Sequence, residues 1–116
     1  MKQRDIKNGI ENVPFDYVVY KVTFPNGKIY VGSDTQQGGH HLNYFGSWSS
    51  QLVEHDFAKE QLLDFTIRKE ILFESDNQTE VRRKEGEFIR KLHSNDIAIG
   101  YNQTPKTNTK PTVSRK

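Results

Sequence analysis

Glu85 is a carboxylate on a stripe that otherwise belongs to a core. It lies four residues after Val81, three before Phe88 and four before Ile89, so in a helix it shares their apolar face. An unpaired charge there is costly, and such a side chain finds a counter-ion, takes up a proton or binds a cation. Arg82, Lys84, Arg68 and Lys28 are the candidate ion-pair partners; a metal ion is the other outcome. Glu87 is the rival acid, but helical geometry sets it off the stripe. Two phenols offer a second piece of chemistry. Tyr20 and Tyr30 stand in two neighbouring β-rich runs, and a residue without a side chain, Gly32, closes Tyr30-Val31-Gly32. A phenol, with a reference pKa near ~10, is a reluctant base, so acting on water requires positive charge or hydrogen bonding that depresses its pKa. Cross-strand packing is the plain alternative for both. His40 and His41 are adjacent and could ligate a metal, although no third ligand stands at a recognisable spacing. Lys28, directly before Ile29-Tyr30, is placed either to contact a phosphate from a sheet edge or to be solvated in a turn.

These side chains need elements to hold them. Tyr17 to Ser33 reads as a β-hairpin: β-branched and aromatic residues fill both runs, and Pro25-Asn26-Gly27 supplies the turn, with a glycine free to take positive φ. The segment Asp34 to Ser47, with adjacent glycines and His40, His41 and Tyr44, is a long loop, a class of segment that often carries function. Trp48, Leu52, Val53 and Phe57 form a stripe that predicts a helix from Trp48 to about Lys59, capped by Ser47 or Ser49. Phe65 to Phe73 predicts a third strand, with Phe65, Ile67, Ile71 and Phe73 alternating. Asn77 with Glu80 starts a helix that runs to about His93, and Ile97 to Asn102 is expected to be extended and to end against the core. The resulting expectation is an α+β fold, a small three-stranded antiparallel sheet flanked by helices in the order β-β-α-β-α. An irregular leader (1–16), the folded domain (17–103) and a basic tail disordered on its own (104–116) complete the organisation.

Composition narrows the function classes. At 116 residues and 33% hydrophobic content, the chain has room for one modest core. The absence of cysteine rules out disulfides and thiolate zinc sites and fits a reducing, cytoplasmic setting. No apolar run approaches the roughly 20 residues that span a bilayer. Of the 17 basic residues, Lys106, Lys110, Arg115 and Lys116 lie in the tail without an acid among them, leaving 13 against 15 acidic groups before it. Affinity for nucleic acid must therefore come from local patches and the tail.

Val18-Val19-Tyr20 and Tyr30-Val31-Gly32, about ten residues apart on paired strands, resemble the two halves of the signature of the GIY-YIG nucleases, with Val18 where the family has glycine. Lys84-Glu85-Gly86-Glu87-Phe88-Ile89 resembles the family helix whose glutamate holds one catalytic metal ion, and Gly100-Tyr101-Asn102 resembles its Gly-Tyr-Asn that supports the active-site wall. The resemblance spans Tyr17 to about Thr104. It implies a Mg²⁺-dependent DNA endonuclease, with Mn²⁺ as a substitute, in which Glu85 is the metal ligand and Tyr20 helps deprotonate or orient the attacking water. Tyr30 shares that network or contacts the phosphate, and Asn102 supports the wall. Such a site suits phosphodiester hydrolysis, where negative charge builds on the phosphoryl oxygens and the leaving 3′ oxygen.

One family feature is missing. The arginine expected about eight residues after Gly32 is replaced by His40, and no arginine occurs between Arg4 and Arg68. His40 or His41 substitutes for it, or Arg68 reaches in from the third strand, or the chain is a catalytically degenerate member that binds nucleic acid or a protein. No separate DNA-reading region is visible, so strong sequence specificity would need a homodimer or a DNA-targeting partner.

Overall fold

The hairpin forms where the sequence places it. In a computed structural model that describes residues 14–105, β1 (Tyr17–Thr23) pairs antiparallel with β2 (Ile29–Asp34). Gly27 takes φ 89° in the turn, and Phe24 N–H donates to the Lys28 carbonyl at 2.9 Å. β3 (Arg68–Ser75) pairs with the other side of β1, giving the antiparallel order β2-β1-β3. The helices are α1 (Ser50–His55), α2 (Lys59–Leu62) and α3 (Gln78–Leu92). The α+β class and the antiparallel three-stranded sheet are as the sequence implies. Residues 1–13 of the expected leader, and the tail from residue 106 onward, lie outside the described residues. Among the described residues no helix is long and apolar enough to cross a membrane.

Each sheet face has its own core, as strand alternation demands. Val19 and Val31 pack with Val81 and Ile89 of α3. Val18, Tyr20 and Val22 pack on the other face with Phe24, Val53, Phe57 and Tyr101, joined by Tyr30, Phe45 and Trp48. The helix predicted from Trp48 is shorter than expected: Ser49 caps it by accepting from Leu52 N–H at 3.3 Å, and it ends at His55. Its stripe residues still enter the core. The short α2 buries nothing, so no apolar period announced it. The third strand starts later than expected and is bulged: Tyr20 faces Ile71 while Val19 faces Phe73, so Leu72 is the extra residue. The bulge breaks the alternation, sending Ile71 and Phe73 to opposite faces instead of one.

α3 follows the expectation closely. The Asn77 side chain accepts from Glu80 N–H at 3.0 Å, and His93 closes the helix in the left-handed conformation, φ 59°. Beyond it, residues 97–99 are not extended. They form turns around Asp96, with Ile97 and Ile99 exposed, and only Gly100 joins the sheet, in a parallel bridge to Ile29. Gly100 has no room for a Cβ, which would collide with the Ser94 and Ile29 carbonyl oxygens.

Candidate functional site

An open cleft of about 340 Å³ lies beside β2 and α3, lined by Tyr30, Ser47, Trp48, Arg82, Glu85, Gly86 and Asn102, among others. Three of the residues singled out in the sequence thus share one wall. β2 supplies Tyr30, and the apolar stripe of α3 docks Val81 and Ile89 on the sheet so that Glu85 faces the cleft. The Glu85 carboxylate accepts from Ser33 Oγ at 2.8 Å and makes no ion pair among the described residues, so none of the four cations proposed for it is taken up. Asn102 fixes the wall by its amide, accepting from Val31 N–H at 2.8 Å and donating to the Val31 carbonyl at 2.7 Å. Glu87 is spent elsewhere, paired with Arg83 and, at 3.5 Å, with Lys84.

No group of three or more His, Asp or Glu side chains converges on a metal site among the described residues. A single carboxylate at the wall of an open, polar cleft nevertheless fits Mg²⁺, which keeps most of its waters and is commonly held by one or two carboxylates with substrate phosphate oxygens. Glu85 is the residue that would hold it.

Tyr20 does not reach the cleft; it is 1% exposed. Its ring lies against Gly32, where a Cβ would collide with the phenol, and is covered on the other side by Gly46, where a Cβ would stand 2.7 Å from the Tyr20 hydroxyl and 2.9 Å from the Tyr30 ring. Gly32, which the resemblance would put at the substrate, is here a packing position under Tyr20. Burial pushes the Tyr20 phenol far above its ordinary pKa, and Tyr44, Tyr30 and the Glu85 charge add to it. Burial likewise raises Tyr30, opposed by a hydrogen bond with Ser47. The depressed phenol that base catalysis requires is absent in this state, and both tyrosines are hydrogen-bonding groups at neutral pH. Gly46 has φ 120° as well as this crowding, so Gly46→Ala is expected to cost about 2 kcal/mol in urea unfolding. A variant as stable as the wild type would mean that the loop does not clamp the two phenols.

His40 is also withdrawn from solvent, at 0% exposure. It stacks on Tyr20 with ring centroids 5.8 Å apart, and its two nitrogens face Asp34 Oδ2 at 2.8 Å and Lys69 Nζ at 2.8 Å. An ammonium only donates, so Nε2 accepts and Nδ1–H donates to Asp34. Burial lowers the His40 pKa; the Asp34 hydrogen bond opposes this, and the Lys69 charge reinforces it. A neutral, enclosed imidazole cannot replace a phosphate-binding arginine. In NMR titration, His40 should stay neutral as its Nδ1–H tautomer at pH 6.5, where a free imidazole is about half protonated; a ring that is half or more charged there would refute the assignment.

The other nominated residues lie apart from the cleft. His41 is exposed on the loop. Arg68 is on β3, the opposite edge of the sheet, where it is 70% exposed and pairs with Glu70 at 3.2 Å. Lys28 binds Asp56 at 2.7 Å, which also accepts from the Tyr101 hydroxyl at 2.7 Å; it ties the turn to the end of α1. Gly46 and Lys69 were not singled out from sequence, Ser47 was read there only as a helix cap, and Arg82 only as a possible counter-ion for Glu85. Arg82 was visible as a neighbour of Glu85 one helical turn away, but the side on which it would lie depended on how α3 docks. No protein-family model, curated protein or solved structure matches this chain.

Proposed function

We propose that the protein is a Mg²⁺-dependent DNA endonuclease of GIY-YIG type. The observation that carries this reading is the meeting of Tyr30, Glu85 and Asn102 in one cleft from three separate segments. Bound at Glu85, Mg²⁺ would supply positive charge to the phosphoryl oxygens and the leaving 3′ oxygen. The Tyr30 hydroxyl, held by Ser47, orients the water whose oxygen bonds to phosphorus as the P–O3′ bond breaks, the proton it loses passing through solvent in the open cleft and the 3′ oxygen leaving as a hydroxyl. Asn102 keeps β2, and with it Tyr30, in register with the cleft. Tyr20 backs the site from the core and takes no part at the phosphate.

A second reading, a degenerate member that holds nucleic acid or a protein without cutting, is favoured by the enclosure of Tyr20 and His40. Incubating supercoiled plasmid with the purified protein and Mg²⁺ or Mn²⁺ separates them. Nicking that EDTA abolishes supports the nuclease; intact plasmid under both metals supports the binding reading. A cleft of this size spans few base pairs, so sequence selectivity falls to a second copy or a DNA-targeting partner.

A further inference from the structure

One row of α3 departs from what a solvent-facing helix needs. Arg82, Gly86 and Arg90 follow one another at i, i+4 and i+8 and so line one ridge, beside the row that carries Glu85 and Ile89. Glycine in a helix interior is unfavourable relative to alanine, yet Gly86 sits in the middle of a 15-residue helix. Its place explains it: Arg90 leans back over Gly86, with Nη2 3.3 Å from where a Cβ would stand. Helical side chains lean this way toward the N-terminus, which here carries the guanidinium toward the cleft that Arg82, Glu85 and Gly86 line. Arg90 makes no ion pair among the described residues. Arg82, which lines the cleft, donates to the neutral Thr35 Oγ1 at 3.2 Å. Neither charge is neutralised, whereas Arg83 and Lys84 on the adjoining face share Glu87.

Resting on the nuclease reading above, we propose that Arg82 and Arg90 form a phosphate rail on α3, gripping DNA backbone phosphates on either side of the one presented to Glu85. Gly86 leaves the floor between them open. Eight residues of helix place the two Cα atoms about 12 Å apart. One strand of duplex DNA carries a charge every ~3.4 Å along its axis, so the rail spans roughly three to four phosphates. The cation missing after Gly32 is thereby supplied from α3, through binding of the substrate backbone.

The test is equilibrium binding in EDTA, without cleavage, of a fluorescein-labelled duplex of about 20 base pairs, by anisotropy from about 50 to about 200 mM salt. Arg82→Ala and Arg90→Ala should each lower the slope of log affinity against log salt by about 0.9, and the double variant by about twice that. Lys59→Ala, on the exposed α2, should leave it unchanged. Gly86→Leu should melt no lower than the wild type, because leucine is the better helix former, yet bind more weakly because it fills the floor. Wild-type binding and metal-dependent cleavage with unaltered slopes in both arginine variants would overturn the rail and leave the nuclease standing. No salt-dependent binding by the wild type would overturn the rail, and no nicking with either metal would remove the nuclease reading as well.

Discussion

Glu85→Gln is expected to lower metal-dependent plasmid nicking by on the order of 10²–10³-fold or more, the scale at which losing one electrostatic contact to the developing charge is felt. The substitution is chosen because it isolates the charge. Glutamine has the same length, and its amide oxygen can still accept the hydrogen bond that Ser33 Oγ gives Glu85 at 2.8 Å. Val81 and Ile89, which dock α3, are untouched. Stability should therefore stay within about 0.5 kcal/mol of the wild type, as for other changes outside the core. An unfolded variant would show that the carboxylate is structural. A folded variant that nicks at the wild-type rate would place the metal elsewhere and remove Glu85 from the site.

Lys69→Met should produce the largest loss of stability among changes outside the apolar core. All three protons of the ammonium are committed: to His40 Nε2 at 2.8 Å, to the Leu42 carbonyl at 2.9 Å and to the Tyr44 carbonyl at 2.8 Å. Burial pulls the Lys69 pKa down, with Asp34 opposing it, so its desolvation offsets part of what these bonds contribute. Methionine keeps the length of the stem but leaves His40 Nε2 enclosed without a donor and frees two loop carbonyls. The net cost is about 2–4 kcal/mol, which for a domain of this size lowers the melting temperature by on the order of 10–20 °C. The same loop carries Gly46, so the variant should also lose order around Tyr20 and Tyr30. A melting temperature within a few degrees of the wild type, measured by circular dichroism, would mean that these bonds merely replace equally good contacts with water.

What could be read from the sequence was what the chain decides locally. Asn77 and Glu80 cap α3 because the cap closes within three residues. Val81, Glu85 and Ile89 share a face because helical spacing is fixed, and the turn at Gly27 forms because the backbone there needs positive φ. The rest depended on partners remote in sequence. Lys69 drew no notice within the predicted third strand, since its partners at His40, Leu42 and Tyr44 lie 25 to 29 residues away. His40 looked like a loop histidine free to meet phosphate; Asp34 and Lys69, which enclose it, come from two different strands. Ile71 and Phe73 were assigned to one face because alternation cannot foresee a bulge, which belongs to the pairing of β1 with β3. Tyr20 and Tyr30 were both visible as phenols, but which of them reaches the cleft follows from the strand order, which puts Tyr20 on the central strand and Tyr30 on β2.

Asn102 has a consequence for how the site is assembled. Its amide occupies both outward-facing groups of Val31, while Ile29 gives its N–H to the Ile99 carbonyl and takes the Tyr101 N–H. Residues 99–102 thus complete the border of the sheet as a fourth strand would, half of it built from a side chain. The wall of the cleft and the sheet margin are consequently held by the same hydrogen bonds, and residues 99–102 are expected to detach as one unit. When it lifts, the Val31 amide is bared at the same moment that the cleft loses Asn102, so the protection of a single backbone proton against deuterium reports the fraction of molecules in which the site is assembled.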